Sequence, residues 1–282
     1  MCYRGGGRSP VNDRGEEAID TDTRLTAATL RTHLNATTLG SSIFCLDEIA
    51  STNHVARERA QTGGEDGTIV TAEFQNRGKG RQGRKWFSPK GAGIYLSMIL
   101  RSAFHTRRPE LLSLLGAFTT ATAIRAEAGV QAEVKWPNDV ILNNRKVAGV
   151  LGESGHGGGP PFVILGVGVN VNTRAEDFPP ALTDTATSVC IECGREISRA
   201  RLIASILDRF EEFYLRSGLD VLTDLVTAIK PMCPMLGQTV RVQQEQEVLE
   251  GKAVDIDETG ALIVETEPYS RHRLHGGEVT VV

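Results

Sequence analysis

The sequence predicts an α+β protein: a mixed β-sheet with flanking helices, followed by a small C-terminal β-barrel. Three observations support this fold class. From residue 42 onward, strand-like and helix-like apolar periods alternate irregularly, which is typical of a sheet decorated with helices. Two helical patterns follow at residues 199–216 and 219–229. After Pro234, about five short strand-like runs follow before the chain ends at Val282.

The N-terminal region, residues 1–41, is predicted to be a disordered leader followed by one short helix, with too few apolar residues to build a domain of its own. Residues 1–23 carry Gly, Arg, Asp and Glu without an apolar period, which is typical of a disordered leader. Leucines in residues 25–39 predict one short amphipathic helix, capped by Asp22 or Thr23. A helix-turn-helix module needs about 60 residues and a second helix, so we expect no DNA binding.

The central region, residues 42–232, is predicted as the principal domain. Polar residues 53–62 and the long apolar pattern at 110–129 are predicted as helices, and Ser198 is placed to cap the next one. The Pro231-Met-Cys-Pro234 sequence ends the last helix and marks a boundary. Strands are expected at residues 43–46, 68–74, 94–100, 133–135, 139–142, 146–153 and 162–172.

The C-terminal region, residues 233–282, is predicted as a small barrel of the SH3 type. Its short strand-like runs alternate with tight turns such as Asp257-Glu-Thr-Gly260.

Composition and charge are those of an ordinary globular protein. Lys and Arg number 31 against 35 Asp and Glu, and the net charge of −4 gives no reason to expect polyanion binding by bulk attraction. The chain has no run of about 18 apolar residues, and residues 1–22 lack the apolar core of a secretory signal. We therefore expect a soluble, cytoplasmic protein without membrane association.

Five cysteines form an odd, sparse set, as expected where thiols stay reduced. Cys190 and Cys193 have the spacing of metal ligands, but no second pair completes a tetrahedral site. We therefore predict two buried thiols and no protein metal site.

The most informative segment is Gln75-Asn-Arg-Gly-Lys-Gly-Arg-Gln-Gly-Arg-Lys-Trp86, which directly follows a predicted strand. Its glycines let backbone N–H groups approach an anion closely, while its cationic side chains supply charge for phosphate or carboxylate oxygens. The glycines also match a dinucleotide fingerprint, but Pro89 and Gly91 leave no room for the required helix. A Walker loop is excluded because no Gly-Lys-Ser/Thr occurs. A solvated basic hairpin remains the alternative.

Two polar segments are candidate binding elements. Ser51-Thr52-Asn53 lies between a strand and a helix, where it either caps the helix or hydrogen-bonds a neutral polar ring such as a ureido group. Lys135-Trp-Pro-Asn-Asp139 is either a Pro-Asn turn whose aspartate caps its own backbone or part of an ATP site. In an ATP site, Lys135 would face phosphate, and Asn138 or Asp139 would lie near the metal or ribose.

Two glycine-containing strands complete the candidate set. Gly149 and Gly152 weaken the strand that begins at Lys146 unless something must approach its backbone. Lys146 is otherwise an ordinary surface lysine. The alternating small residues of Gly166-Val-Gly-Val-Asn-Val-Asn172 suggest the floor of a pocket, or a buried strand packed against a helix.

Five of these segments, in order along the chain, resemble the bacterial biotin protein ligases, and the resemblance covers residues 43–282. Each segment alone is weakly specific, whereas five at the family's spacing are highly specific. The family usually has arginine where this chain has Lys79, which keeps the charge but loses the bidentate fork. The segments are Ser51-Thr-Asn53, Gly78-Lys-Gly-Arg-Gln-Gly-Arg-Lys-Trp86, Lys135-Trp-Pro-Asn-Asp139, Lys146-Val-Ala-Gly149 and Gly166-Val-Gly-Val-Asn170.

The resemblance implies a catalytic domain related to class II aminoacyl-tRNA synthetases, with an SH3-like domain after it. It implies that biotin reacts with Mg²⁺-ATP to give biotinyl-5′-AMP, and that a lysine of a biotin carboxyl carrier protein then takes the biotinyl group. Some members carry an N-terminal DNA-binding module, and we expect none here. A homodimer is left open.

The resemblance also implies site residues. Biotin contacts are expected from Ser51, Thr52, Asn53, Gln75, Lys79, Gly80, Arg81 and Lys146. Residues expected to face the ATP-derived part, or to order the loop over it, are Arg81, Arg84, Trp86, Lys135 and Asn138. Gly149, Gly168 and Asn170 are expected to line the same pocket. Arg81, Lys135 and Lys146 are the candidate catalytic residues, with Arg84 as a further donor to phosphate charge.

Two alternative functions remain open from the sequence. A lipoate ligase or octanoyl transferase on a related fold would also acylate a carrier lysine. A non-enzymatic nucleotide- or DNA-binding regulator would use the same basic loop, with salt-sensitive DNA affinity and no ATP turnover.

Overall fold

A computed structural model describes residues 24–103, 105–244, 247–266 and 270–282 of the chain. The leader predicted at residues 1–23, with its proposed caps Asp22 and Thr23, lies outside the described residues. No helix within the described ranges is long and apolar enough to cross a membrane.

The first helix is shorter than its leucine spacing predicts. Helix α1 spans Ala27–His33 and is capped by Thr26, whose hydroxyl accepts a hydrogen bond from Thr29 N. Residues 35–39 leave the helix because two carboxylates of a later helix, Asp208 and Glu211, accept their backbone N–H groups. Backbone donors satisfied in this way no longer need helical carbonyl partners.

A seven-stranded sheet forms the centre of the described structure, in the order β1-β2-β3-β7-β6-β5-β4. Strands β1 and β2 are parallel, and every other neighbouring pair is antiparallel. The predicted strands are confirmed, with shifts at their ends. Their bounds are β1 Ile43–Ile49, β2 Ile69–Gln75, β3 Gly93–Leu100, β4 Glu133–Lys135, β5 Asp139–Leu142, β6 Arg145–Gly155 and β7 Phe162–Asn170.

Helices cover both faces of this sheet. On one face, α2 (Thr52–Gln61) buries Ala56 and Ala60 against Ile99 and Ile164. On the other face, α3 (Pro109–Ala128) packs against the sheet and against α5 (Arg199–Tyr214). Side chains alternate between the two faces along β3 and β7, as strand geometry requires.

Two further helices flank α5 along the chain. Helix α4 (Val189–Cys193) precedes it, and α6 (Leu219–Ile229) follows it. The predicted cap of α5 is confirmed, since Ser198 Oγ accepts a hydrogen bond from Arg201 N. A short 3₁₀ turn, Lys230–Met232, leads from α6 into the C-terminal region.

The C-terminal strands form a second, antiparallel sheet of five strands in the described residues, ordered β11-β10-β9-β8-β12. The predicted turn at Asp257 is confirmed: its carboxylate accepts hydrogen bonds from Thr259 N and Ala261 N, and Gly260 has a φ of 82°. The strand bounds are β8 Thr239–Gln243, β9 Val248–Ile256, β10 Leu262–Thr266, β11 Ser270–Leu274 and β12 Glu278–Val281.

The two sheets contact each other beside the candidate ATP segment. The buried Trp136, whose peptide bond to Pro137 is cis, donates a hydrogen bond from Nε1 to Gly260 O at 2.8 Å. Gly260 also lies against Leu111 and Leu114 of α3. The C-terminal sheet is thereby held next to residues 135–139.

Candidate functional site

A cavity of about 530 Å³ lies between the centre of the large sheet, the basic loop and the edge of the C-terminal sheet. All residues that the sequence predicted for the site line this one cavity. They are Ser51, Thr52, Asn53, Gln75, Lys79, Gly80, Arg81, Arg84, Trp86, Lys135, Asn138, Lys146, Gly149, Gly168 and Asn170.

One end of the cavity is built from neutral polar groups. Thr52 N donates to Gln75 Oε1 at 2.8 Å, which ties the start of α2 to the end of β2. Ser97 Oγ lies 2.7 Å from Thr52 Oγ1 and 2.6 Å from Asn53 Oδ1. Asn53 Nδ2 donates to Glu153 Oε2 at 2.7 Å. Since Thr52, Asn53, Gln75 and Ser97 are buried and joined, they form a fixed set of donors and acceptors at the wall of the cavity.

Ser51 does more than mark the start of α2. It occupies the N-cap position, but its side chain makes no capping hydrogen bond. Ser51 is buried, and its side chain lines the cavity. The capping alternative therefore does not account for this serine.

The basic segment folds as a narrow hairpin, so the hairpin alternative is correct about its backbone. Trp86 N donates to Gly78 O at 2.9 Å and Gly80 N to Arg84 O at 2.7 Å, which places the exposed Lys79 opposite Lys85. At Gly78, a β-carbon would lie 2.6 Å from Trp86 O, so the close crossing of the hairpin requires glycine.

The side chain of Arg81 extends from the hairpin to the predicted ATP segment, residues 135–139. Its Nη1 donates to Asn138 Oδ1 at 2.7 Å, and Asn138 Nδ2 donates to Val150 O at 2.8 Å. Burial lowers the pKa of the Arg81 guanidinium, which remains charged. Asn138 therefore anchors Arg81 to the centre of β6 and is not exposed as a free ligand donor.

Lys146 and Asp139 form an ion pair inside the cavity, with Nζ 2.6 Å from Oδ1. Within the described residues, Asp139 Oδ1 accepts no well-directed hydrogen bond, so the contact is electrostatic. Lys146 Nζ also lies 5.6 Å from the centre of the Trp86 ring. Lys146 is therefore not an ordinary surface lysine, and Asp139 does not cap its own backbone.

The indole of Trp86 lies over two glycines that pair across neighbouring strands, Gly149 of β6 and Gly168 of β7. A β-carbon at Gly168 would be 2.6 Å from the indole, and one at Gly149 would be 3.2 Å from it. Gly166 plays the same part for Asn53, whose Oδ1 would be 2.2 Å from a β-carbon there. These glycines are explained by close approach, as the sequence suggested.

Asn170 and Lys135 are the last two predicted site residues. Asn170 Nδ2 donates to Thr187 O at 3.0 Å, so this buried side chain holds residues 185–187 against β7. Lys135 is half-buried at the rim of the cavity, at the end of β4.

Sequence reasoning missed two groups of cavity residues and also Ser97, which does not itself line the cavity but is hydrogen-bonded to Thr52 and Asn53. Ser97 could have been found, because it is a polar residue within the apolar strand β3. Leu182, residues 184–186 and Gly277 to Val279 carry no local signal, since they reach the cavity through tertiary packing. From the C-terminal sheet, Glu278 Oε1 accepts a hydrogen bond from Arg84 Nη1 at 2.9 Å, and Gly277 O lies 3.4 Å from Arg81 Nη1.

The described residues contain no cluster of three or more His, Cys, Asp or Glu side chains that could hold a metal ion. Cys190 and Cys193 are half-buried free thiols on α4, and burial raises the pKa of Cys190. Three carboxylates line the cavity: Asp139 lies against Lys146, Glu278 pairs with Arg84, and Asp184 lies near Lys146 in the chain segment 184–186. Such a set fits a magnesium ion held mainly by nucleotide phosphates, because Mg²⁺ commonly takes one or two carboxylates with substrate oxygens and water.

Comparison with known proteins gives two family matches. Residues 46–170 match the model of the biotin/lipoate A/B protein ligase family, and residues 235–282 match that of the biotin protein ligase C-terminal domain.

Among solved structures, biotin protein ligase from Aquifex aeolicus in complex with biotin and ATP is 27% identical, with a TM-score of 0.71. The alignment covers 86% of this chain and 99% of that one. A mutant of the same enzyme in complex with biotin is 28% identical, with a TM-score of 0.73.

Similar proteins share most of this chain's length. The bifunctional ligase/repressor BirA of Bacillus spizizenii is 35% identical over 91% of this chain and 79% of its own length. The biotin--[acetyl-CoA-carboxylase] ligase of Mycobacterium tuberculosis is 33% identical over 80% of this chain and 85% of its own length. The chain therefore belongs to the biotin protein ligases, within the biotin/lipoate A/B protein ligase family.

Proposed function

We propose that this chain activates biotin with ATP to biotinyl-5′-AMP and transfers the biotinyl group to a lysine of a biotin carboxyl carrier protein, the acetyl-CoA carboxylase subunit. The observation that carries the proposal is the division of one cavity into a neutral polar end and a cationic end. The neutral polar end suits an uncharged ring system, and the cationic end suits a carboxylate and phosphates. The relatives are named for this activity, and a related structure holds both small molecules.

In the first step, a biotin carboxylate oxygen attacks the α-phosphorus of ATP, the bond to the bridging oxygen breaks, and pyrophosphate leaves. In the second, the carrier amine attacks the acyl carbon, AMP leaves, an amide forms and the amine loses a proton. No protein nucleophile is needed, so positioning and charge stabilisation supply most of the rate. When bound, Mg²⁺ neutralises phosphate charge, and Asp139 is the carboxylate beside which it would lie.

The roles of individual residues follow from their places in the cavity. Ser51, Thr52, Asn53 and Gln75, fixed by their shared hydrogen bonds, would bind the ureido group of biotin. Arg81 and Lys146 would stabilise the negative charge that builds at the α-phosphate, and Lys135 and Arg84 would assist at the rim. Lys79 and Gly80 would contact the carboxyl side of biotin through the hairpin backbone. Gly149, Gly168 and Asn170 would form the floor beneath Trp86, and Asn138 would hold Arg81 in place.

We also propose the finer assignment of the fold. Residues 42–232 would form a catalytic domain of the class II aminoacyl-tRNA synthetase type, and residues 233–282 an SH3-like domain. The described part of residues 1–41 adds Leu25, Leu30 and Leu39 to the hydrophobic core. A cytoplasmic location and a lack of DNA binding are further expectations for this enzyme, and its oligomeric state is left open.

The test is incubation of the purified protein with labelled biotin, Mg²⁺-ATP and a biotin carrier domain. Label on the carrier lysine, dependent on ATP, is the expected result. Labelled lipoate and octanoate are run in parallel, because label from either one in preference to biotin would favour a lipoyl-type enzyme. No transfer of any of these acids, together with salt-sensitive DNA binding, would replace the proposal with a regulator.

A further inference from the structure

Glu192 lies outside the cavity but is bonded to the elements that carry Lys146. It sits in α4, between Cys190 and Cys193, and its side chain is only 7% exposed. Its Oε1 accepts hydrogen bonds from Thr187 Oγ1 at 2.5 Å and Arg145 Nη2 at 2.7 Å. Its Oε2 accepts a third from Asn143 Nδ2 at 2.6 Å. One carboxylate thus joins the β5–β6 turn to the residues before α4.

Both of these elements determine where Lys146 lies. Lys146 N donates to Thr185 O at 2.8 Å, and Thr187 N donates to Lys146 O at 2.9 Å. On the side of β6 away from β5, the backbone of Lys146 is therefore paired with residues 185–187, as the bridge between Lys146 and Ala186 also shows. Residues 184–186 themselves line the cavity.

On the other side of β6, the pairing of Lys146 with β5 is less regular. The β5–β6 pairing shifts register between Val140 and Ile141, the partner of Lys146. A bulge of this kind leaves the ladder locally interrupted. In addition, the turn that precedes Arg145 holds Asn143 and Asn144 at positive φ, a conformation that asparagine tolerates but does not enforce. The regular backbone pairing of Lys146 is therefore the one with residues 185–187, and Glu192 stabilises that segment through its hydrogen bond from Thr187.

We propose that Glu192 is a positioning residue for Lys146, acting through Arg145 on one side and Thr187 on the other. This inference rests on the proposed function, in which the Lys146 amine meets the reacting phosphate. The lysine side chain is long, so its amine reaches one position reproducibly only if its Cα is fixed. A carboxylate is required because three donors converge on it, one of them a guanidinium. An amide at the same place offers one acceptor oxygen and adds two donors.

The test compares Glu192→Gln with Glu196→Gln, a matched change at an exposed glutamate four residues later. Biotin- and ATP-dependent pyrophosphate exchange is measured on the full chain, with melting temperatures recorded beside it. We expect Glu192→Gln to lower kcat by about 10- to 100-fold at temperatures where the protein is fully folded. The KM for biotin should change less, because the neutral end of the cavity is not bonded to Glu192. Glu196→Gln should match the unaltered enzyme.

A background variant separates positioning from a structural role. In Lys146→Ala, the group that Glu192 positions is gone, so adding Glu192→Gln should lower kcat by no more than about twofold further. Full multiplication of the two effects would overturn the inference, as would a normal kcat in folded Glu192→Gln. Both of those results leave the proposed function intact. An unaltered enzyme that catalyses no exchange would instead overturn the proposed function, and this inference with it.

Discussion

The Trp86 indole and Gly168 are in such close contact that a β-carbon at position 168 would lie 2.6 Å from the ring. Gly168 is in the middle of β7 and is paired with Gly149 of β6, so the sheet backbone cannot easily retreat. The indole belongs to the hairpin that also carries Arg81 and Arg84. The position of the hairpin over the cavity is therefore set by the absence of two side chains on the strands below it.

We predict that Gly168→Ala displaces Trp86 and weakens binding of both biotin and ATP, while the protein stays folded. The φ of Gly168 is not in the positive region, so alanine is compatible with the strand, and the three atoms nearest to its β-carbon all belong to the indole. A shift of this kind costs up to about 10²-fold in kcat/KM. Pyrophosphate exchange measures the weakened use of biotin and ATP, and tryptophan fluorescence measures the displacement of Trp86.

The indole can be removed to check the cause. In a Trp86→Ala background, Gly168→Ala should have almost no further effect on exchange, because the clashing ring is absent. If Gly168→Ala were just as damaging without the indole, the strand and not Trp86 would be the cause.

The two arginines of the hairpin are predicted to differ in importance. Arg81 is half-buried and bonded to Asn138, whereas the ion pair between Arg84 and Glu278 is about half exposed on both sides, at 56% and 50%. Charge in a desolvated position stabilises a developing anion more strongly. Arg81→Ala and Lys146→Ala should each lower the rate of adenylate formation by about 10²- to 10³-fold.

Arg84→Ala should have the smaller effect on adenylate formation, since solvent screens its charge. Single-turnover formation of biotinyl-5′-AMP is the measurement, with circular dichroism to verify folding. Normal adenylate formation in Arg81→Ala or Lys146→Ala would contradict the assignment of charge stabilisation to that residue.

Much of the candidate site could be predicted because its segments contain unusual local chemistry. Three glycines among cations at residues 78–86, or a tryptophan, proline, asparagine and aspartate in succession, are rare enough to indicate a role. Glu153 and Glu192 are ordinary residues whose importance comes from strand register and helix packing. Those relationships depend on the tertiary fold and leave no mark on the nearby sequence.

The same distinction applies to the fold. Periodicity identified the strands because alternation of side chains is local. The helix predicted at residues 25–39 is too long because its end is determined by distant residues. Asp208 and Glu211, which bond the backbone of Ala36 and Thr37, lie 172 and 174 residues further along the chain. The order β1-β2-β3-β7-β6-β5-β4 likewise depends on long-range pairing.

Glu211 is predicted to contribute stability that depends on pH. Burial acts to raise the pKa of its carboxyl group, but hydrogen bonds from Leu39, Thr37 and Thr38 outweigh burial, and the net pKa is lowered. A carboxyl whose pKa is lower in the folded state stabilises the protein above its unfolded pKa. That contribution is lost as the pH falls through the folded value. Glu211→Gln should lower the free energy of unfolding by about 1.5–3 kcal/mol at neutral pH.

The difference between Glu211→Gln and the unaltered protein should shrink as the pH falls below the ordinary glutamate pKa of about 4.3. Urea unfolding at several pH values measures it. Glu212→Gln, at the exposed neighbouring position, is the control and should change stability little. A deficit in Glu211→Gln that stayed constant down to the lowest pH would show that the carboxylate charge is not the cause.

A buried ion pair gives the largest predicted effect on folding. Glu73 and Arg199 are 7% and 2% exposed, with Arg199 Nη1 2.6 Å from Glu73 Oε2. Glu73 Oε1 also accepts a hydrogen bond from Leu25 N at 2.7 Å, which fixes the segment leading into α1. Glu73→Ala removes the negative charge beside a buried guanidinium and should lower the free energy of unfolding by about 3–5 kcal/mol.

Replacing both Glu73 and Arg199 with methionine should cost less than Glu73→Ala alone, because no buried charge is left uncompensated. Asp224→Ala is the matched control. It removes one member of an exposed pair with Arg216, whose side chains are 56% and 47% exposed, and should cost less than about 1 kcal/mol. Urea unfolding of the three variants compares them directly. If the double methionine variant were as unstable as Glu73→Ala, the hydrogen bond to Leu25 N would carry the stability, and compensation of the buried charge would not.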